Sequence, residues 1–409
     1  MKKLIVVFAV FFIAVSVAHS QEPTLTLSGE FKTGLLYYDK LSLGDFPPPP
    51  KAVALVANSE DADWTDTKNP DALTPGRFRL NFQVSAGNIG TKFRFETTKW
   101  PKLTSTSTVK PELVWGYAFA YGYFWDRQIK VSAGKMGDSP WGSGGPEMWK
   151  ELDTTIGLRF ELIPSFIPFI APGSLNFGFV LNSFNAGVDG AIQWGINSSS
   201  FLDILQESVF GISYTHEYFL ARFAYRLDNV GDEDVGDKML YRLEERIIKK
   251  YLPGFQVFAN GWVEGINGKD FDPDTGEKKK APDYFQTQNW VYVQYTPDML
   301  TAQLRFGYNY YREQSVFYVR AGFYYNLFNK LLVPGIAFEY AQDFGPNKLG
   351  SDAYLRWYIE PQIRLNFASG TYIALVYRYQ DDYHTQNSAL NGQANSRINW
   401  VNLRATFTF

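Results

Sequence analysis

Basic residues recur at every second position in segment after segment of this chain. Arg77 and Arg79 alternate with Phe78 and Leu80, Lys92 and Arg94 with Phe93 and Phe95, and Arg159 with Leu158 and Phe160. Arg222 and Arg226 share one face of their segment, and Lys130, Arg305, Arg356, Arg364, Arg378 and Arg404 continue the series. The acids on the same row are few: Glu30, Glu96, Glu161 and Glu360. A row of guanidinium groups lining a narrow wet space would lower the barrier to anions and do no covalent chemistry.

Other candidate chemistry is weaker. Asp270, Asp272, Asp274 and Gly276 resemble a calcium loop, but the Gly falls one place late and position 281 is Ala where a bidentate Glu belongs. A solvated acidic loop accounts for them, and no metal or cofactor is expected. His216 sits near a tight turn, and His384 lies beside Asp381, Asp382 and Tyr383 at a strand end. One such constellation does not make an enzyme, and none is expected.

The elements that must position the arginines are strands. Val401, Leu403, Ala405, Phe407 and Phe409 alternate with Asn402, Arg404, Thr406 and Thr408. Period two puts one row on each face of a strand. The same two-faced pattern runs through residues 24–37, 77–84, 92–96, 154–162, 219–227, 300–311, 353–367 and 371–380. Short links such as Gly87-Asn88 and Ala368-Ser369-Gly370 alternate with long loops. The segment from Asp237 to Leu252 is ambiguous, because Leu240, Leu243, Ile247 and Tyr251 have helical spacing. Read as a strand it brings the count to 18; read as a helix it leaves 16. Parity favours 18.

Composition points the same way. Aromatics make up 17% of the chain and charged residues 20%, while mean hydropathy is slightly negative. A chain this aromatic without being hydrophobic overall suits strands with one face in lipid and one in water. The apolar faces run about ten residues, the reach of a tilted strand across hydrocarbon. Such a sheet must close, since unpaired edge groups are too costly in lipid. An arginine facing lipid near mid-membrane costs ~2–4 kcal/mol, which turns the basic row inward. The expected fold is therefore all-β: a closed antiparallel transmembrane β-barrel of 18 strands, with 16 as the alternative.

Residues 1–20 read as a secretory signal: Lys2 and Lys3, an apolar stretch from Leu4 to Val17, and a small-x-small site before Gln21. Residues 21–409 form one barrel domain. The chain has no Cys, which excludes disulfides, thiolate metal sites and a lipid-modified cysteine. The net charge of −3 argues against nucleic acid as a partner.

Signal, alternating strands and a last strand ending in Phe407-Thr408-Phe409 resemble the Gram-negative outer-membrane β-barrel superfamily, in particular its porins. The resemblance implies a bacterial outer-membrane location, contact with membrane lipid, and recognition of Phe407 and Phe409 by the barrel-assembly machinery. It also implies a role for the third long loop, residues 136–153, which folds into the barrel in porins. There Asp138, Glu147, Glu151 and Asp153 would face the arginines; an ordinary surface loop is the alternative. The expected function is passive diffusion of small hydrophilic solutes through a basic, mildly anion-preferring pore, and oligomers fit the family. Two alternatives stay open. One is a substrate-selective channel for a sugar or apolar ligand, with an aromatic track from Tyr311, Tyr354, Tyr358, Trp290 and Tyr292. The other is a non-conducting adhesin or structural barrel.

Overall fold

The structure is a computed structural model that describes residues 22–42, 52–55, 77–98, 112–136, 140–141, 156–164, 173–182, 208–227, 237–266, 269–271, 278–280, 286–311, 314–343, 354–384 and 396–409. Alternation of apolar and polar side chains yields strands almost throughout. In chain order they are β1 (Thr24–Ser42), β2 (Arg77–Ala86), β3 (Ile89–Thr98), β4 (Glu112–Phe124), β5 (Ile129–Lys135), β6 (Ile156–Leu162), β7 (Ser174–Asn182), β8 (Ser208–Thr215) and β9 (Phe219–Leu227). There follow β10 (Asp237–Glu245), β11 (Phe255–Ile266), β12 (Gln286–Tyr295), β13 (Leu300–Tyr311), β14 (Gln314–Tyr325), β15 (Leu332–Asp343), β16 (Tyr354–Ala368), β17 (Thr371–His384) and β18 (Ser396–Thr408).

Each strand pairs antiparallel with the next, and β1 also pairs with β18 from Glu30↔Thr408 to Ser42↔Ser396. The sheet thereby closes into a barrel of 18 strands. A short arm, Ala52–Leu55, pairs with β1 beyond the reach of β2. Residues Lys269–Phe271 and Lys278–Lys280 form a separate ribbon that pairs Asp270 with Lys279, while Asp272 and Asp274 lie outside the described residues. Among the described residues no helix is long and apolar enough to cross a membrane.

The ambiguous segment divides. Asp237–Glu245 is β10, and Ile247–Tyr251 is a one-turn helix, α1, so the helical spacing of Ile247 and Tyr251 is real but begins after the strand ends. The connection from β4 to β5 turns through Trp125, Asp126 and Arg127, all with positive φ.

Closure separates two faces. In β18, Leu403 is 46% exposed on the outside and Asn402 is fully buried on the inside. Phe31, Phe223, Phe306, Phe323, Ile363 and Leu375 continue the exposed apolar face around the barrel. Trp400 is buried on the inner face, under the Arg378 guanidinium at 4.8 Å.

Candidate functional site

The enclosed face is the candidate site. Cross-strand partners share a face, so the register assigns each predicted residue. Arg79, Arg94, Arg159, Arg222, Arg226, Arg305, Arg356, Arg364, Arg378 and Arg404 all fall on the inner row. The backbone of Arg77 shares that row opposite Lys32; its side chain lies outside the described residues.

Sequence reasoning missed part of this row. Lys238, Arg242 and Glu244 belong to the strand half of the ambiguous segment. Arg320 faces Arg305 directly, and both lie beside inner-row tyrosines. Glu264 and Glu339 are further inner-row acids. The interior is more evenly charged than Glu30, Glu96, Glu161 and Glu360 suggested, but among the described residues inner-row cations still outnumber carboxylates.

Several cations are held in place. Glu360 accepts from Arg378 Nε at 2.8 Å and from its NH2 group. The same guanidinium lies 3.7 Å from the Tyr358 ring centroid, and the Tyr358 hydroxyl donates to Glu339 at 3.1 Å. Across the lumen, Glu161 pairs with Arg159 at 2.9 Å and with Lys130 at 3.0 Å. Arg79 pairs with Glu96 at 2.9 Å, and Arg404 donates to Gln362 at 3.1 Å.

Four inner-row aromatics follow one another on β4. Its inner row is Tyr117, Phe119, Tyr121 and Tyr123, with successive ring centroids 5.9, 6.4 and 5.7 Å apart. A cation stands over every ring: Arg94 over Tyr117 at 4.6 Å, Arg159 over Phe119 at 5.7 Å, Lys130 over Tyr121 at 5.6 Å, and Arg127 over Tyr123 at 4.9 Å. A β-bulge between Arg94 and Phe95 leaves Gly116 without a partner and sends Trp115 outward, 3.9 Å centroid to centroid from Phe95. The bulge sets the row of rings below it on the inside. Of the sequence-predicted track, Trp290, Tyr292 and Tyr358 are on the inner face. The side chains of Tyr311 and Tyr354 lie outside the described residues.

The start of the third long loop enters the barrel. Trp141 is fully buried, packs with Met136, Val180, Val209 and Leu240 against Tyr117 and Phe119, and donates from Nε1 to Asn176 Oδ1 at 3.0 Å. Asn176 in turn donates to Glu161 at 2.8 Å, tying the loop to the Arg159 and Lys130 cluster. Asp138, Glu147, Glu151 and Asp153 lie outside the described residues.

At the seam, Phe407 stacks on Phe31 with centroids 6.5 Å apart. Phe409 exchanges both backbone hydrogen bonds with Gly29, at 2.8 and 3.2 Å. His216 packs between Tyr214 and Tyr218 and accepts from the Tyr218 amide at 3.2 Å. The side chain of His384 lies outside the described residues, and among those described no group of three potential metal ligands occurs.

No protein-family model and no curated protein matches the chain. Solved structures do. Acinetobacter baumannii OccAB1 superposes with a TM-score of 0.54 at 10% identity, over 94% of this chain and 97% of that one. Pseudomonas aeruginosa OccK2, solved in complex with glucuronate, gives 0.52 at 10% identity, over 94% and 98%. The P. aeruginosa outer-membrane protein OpdK gives 0.50 at 10%, over 94% and 99%. At such identities the likeness is one of architecture: the chain shares the closed β-barrel fold of these proteins.

Proposed function

We propose that this barrel is an outer-membrane channel through which small ring-bearing organic anions diffuse passively. The observation that carries the reading is the half-buried pair of rings on β4, Tyr121 and Tyr123, flanked by Lys130 and Arg127, below Tyr117 and Phe119, which Trp141 covers. A ring face offers stacking to a flat or cyclic solute, and an adjacent guanidinium or ammonium attracts its carboxylate. A solute held weakly and repeatedly in this way moves along the wall without being trapped. OccK2, of like fold, was solved with a sugar acid, which has this combination of ring and charge.

In this reading the inner-row arginines, Arg77 through Arg404, set the anion preference, and Trp141 narrows the passage. Residues 1–20, which lie outside the described residues, direct export, and Phe407 and Phe409 present the assembly signal. No catalytic step is assigned to the chain. A general porin for small hydrophilic solutes is the second reading. It is favoured by the excess of cations around the rest of the wall, but it leaves the packed Trp141 without a role.

Single-channel recording in planar bilayers tests the choice. The selective channel is expected to show small anion-preferring steps, blocked by benzoate or glucuronate and not by glucose. Large steps indifferent to all three overturn it in favour of the general pore, and no conductance leaves a structural barrel.

A further inference from the structure

Among the described turns at the end of the barrel that carries both termini, the link from β10 to β11 alone holds a helix. Helices this short are marginal in water and depend on packing an apolar face. Yet α1 buries none of its residues against the barrel. Ile247, Ile248, Tyr251 and Leu252 are 49, 43, 78 and 40% exposed. What fixes the helix internally is slight: the Glu245 carboxylate accepts from the Ile248 amide at 2.8 Å.

Two features say what covers this face. The exposed side chains continue the outer apolar wall through Leu243, Tyr218 and Phe219, which are themselves exposed. The cations of the segment are also divided. Arg246 turns back to Glu244 at 3.1 Å and to the His216 carbonyl at 3.3 Å. Lys249 and Lys250 stay at the surface, with Lys250 over the Tyr218 ring at 5.2 Å and 3.9 Å from exposed Glu217. Apolar side chains beside exposed lysines at the edge of a lipid-facing wall match a membrane–water boundary rich in anionic headgroups.

We infer that α1 is a foot seated in anionic phospholipid at the turn end of the barrel. The inference rests on the outer-membrane reading above. Because the chain has no Cys, a single cysteine can carry a polarity-sensitive dye. Tyr251→Cys would be compared with Leu375→Cys, which lies on the outer wall and is 50% exposed. Both would be reconstituted in phosphatidylcholine vesicles with and without phosphatidylglycerol. The dye at 251 is expected to emit as in lipid, to be quenched by doxyl-lipid, and to seat more fully when phosphatidylglycerol is present. Changing Lys249→Gln or Lys250→Gln should lower the seated fraction roughly fivefold per lysine. A dye at 251 open to aqueous iodide, or seated equally in both lipids, while 375 stays shielded, overturns the foot and spares the membrane reading. If 375 is also open to iodide, the membrane reading fails and the foot with it.

Discussion

The indole of Trp141 fills the space that a side chain at Gly211 would need. A Cβ at 211 would stand 1.9 Å from Trp141 Cδ2 and 2.3 Å from its Cγ. These atoms lie at the root of the ring, so a flip of the indole about its own Cβ–Cγ bond does not relieve the overlap. Gly211→Ala is therefore expected to expel Trp141 and raise the unitary conductance, as Trp141→Ala should by itself. Single-channel recording of both variants checks this, and conductance unchanged in both would remove Trp141 from the narrowest point.

Arg305 and Arg320 are direct cross-strand partners, an arrangement that repels. Arg320 also faces Glu339 on its other side, and Arg305 lies over the Tyr292 ring at 5.1 Å. Arg305→Gln should cost no stability, or gain about 0.2–1 kcal/mol, and should shift the reversal potential toward lower anion preference. A fall in stability with an unmoved reversal potential would reverse both assignments.

Arg378 and Glu360 form a pair whose side chains are 0 and 7% exposed. Glu360→Gln leaves a buried guanidinium without its counter-charge, at a cost of about 3 kcal/mol. Urea unfolding in lipid vesicles measures this. A loss under about 1 kcal/mol would mean that water reaches Arg378.

Gly254 has φ of 88°, and a Cβ there would meet the Thr296 carbonyl oxygen at 2.2 Å. That carbonyl belongs to a residue whose amide donates to Gly254 at 2.9 Å. Gly254→Ala should destabilise the barrel by about 1–2 kcal/mol through backbone strain. Gly122→Ala, where the nearest atom is 3.4 Å away, is the control expected to fold normally.

The barrel was legible because charge is intolerable on its outside. Wherever one row of a segment carried Arg or Lys, as in 77–84 or 353–367, the inner face could be named from sequence. Where both rows are apolar, the face is hidden. In β14, Val316 and Tyr318 point inward beside outward Phe317 and Val319, and Arg320 alone discloses which row is which. β4 is inverted, with rings inside and Ala118 and Ala120 outside, because Trp141 from the loop after β5 covers Tyr117 and Phe119. Period-two reading does not foresee a side chain arriving from elsewhere. The split of 237–252 was hidden for a related reason: a strand of nine residues followed by one helical turn has no boundary residue stronger than Arg246.

β1 is gripped on one side by β2 over Thr24–Lys32 and on the other by β18 over Glu30–Ser42. Every other junction in the barrel joins strands made one after the other, but this one joins the earliest made to the latest. A ribosome that stops short, or a protease that trims the tail, leaves two raw edges facing each other across a gap. Closure of the wall therefore waits on Ser396–Thr408, and a chain without them keeps both edges open.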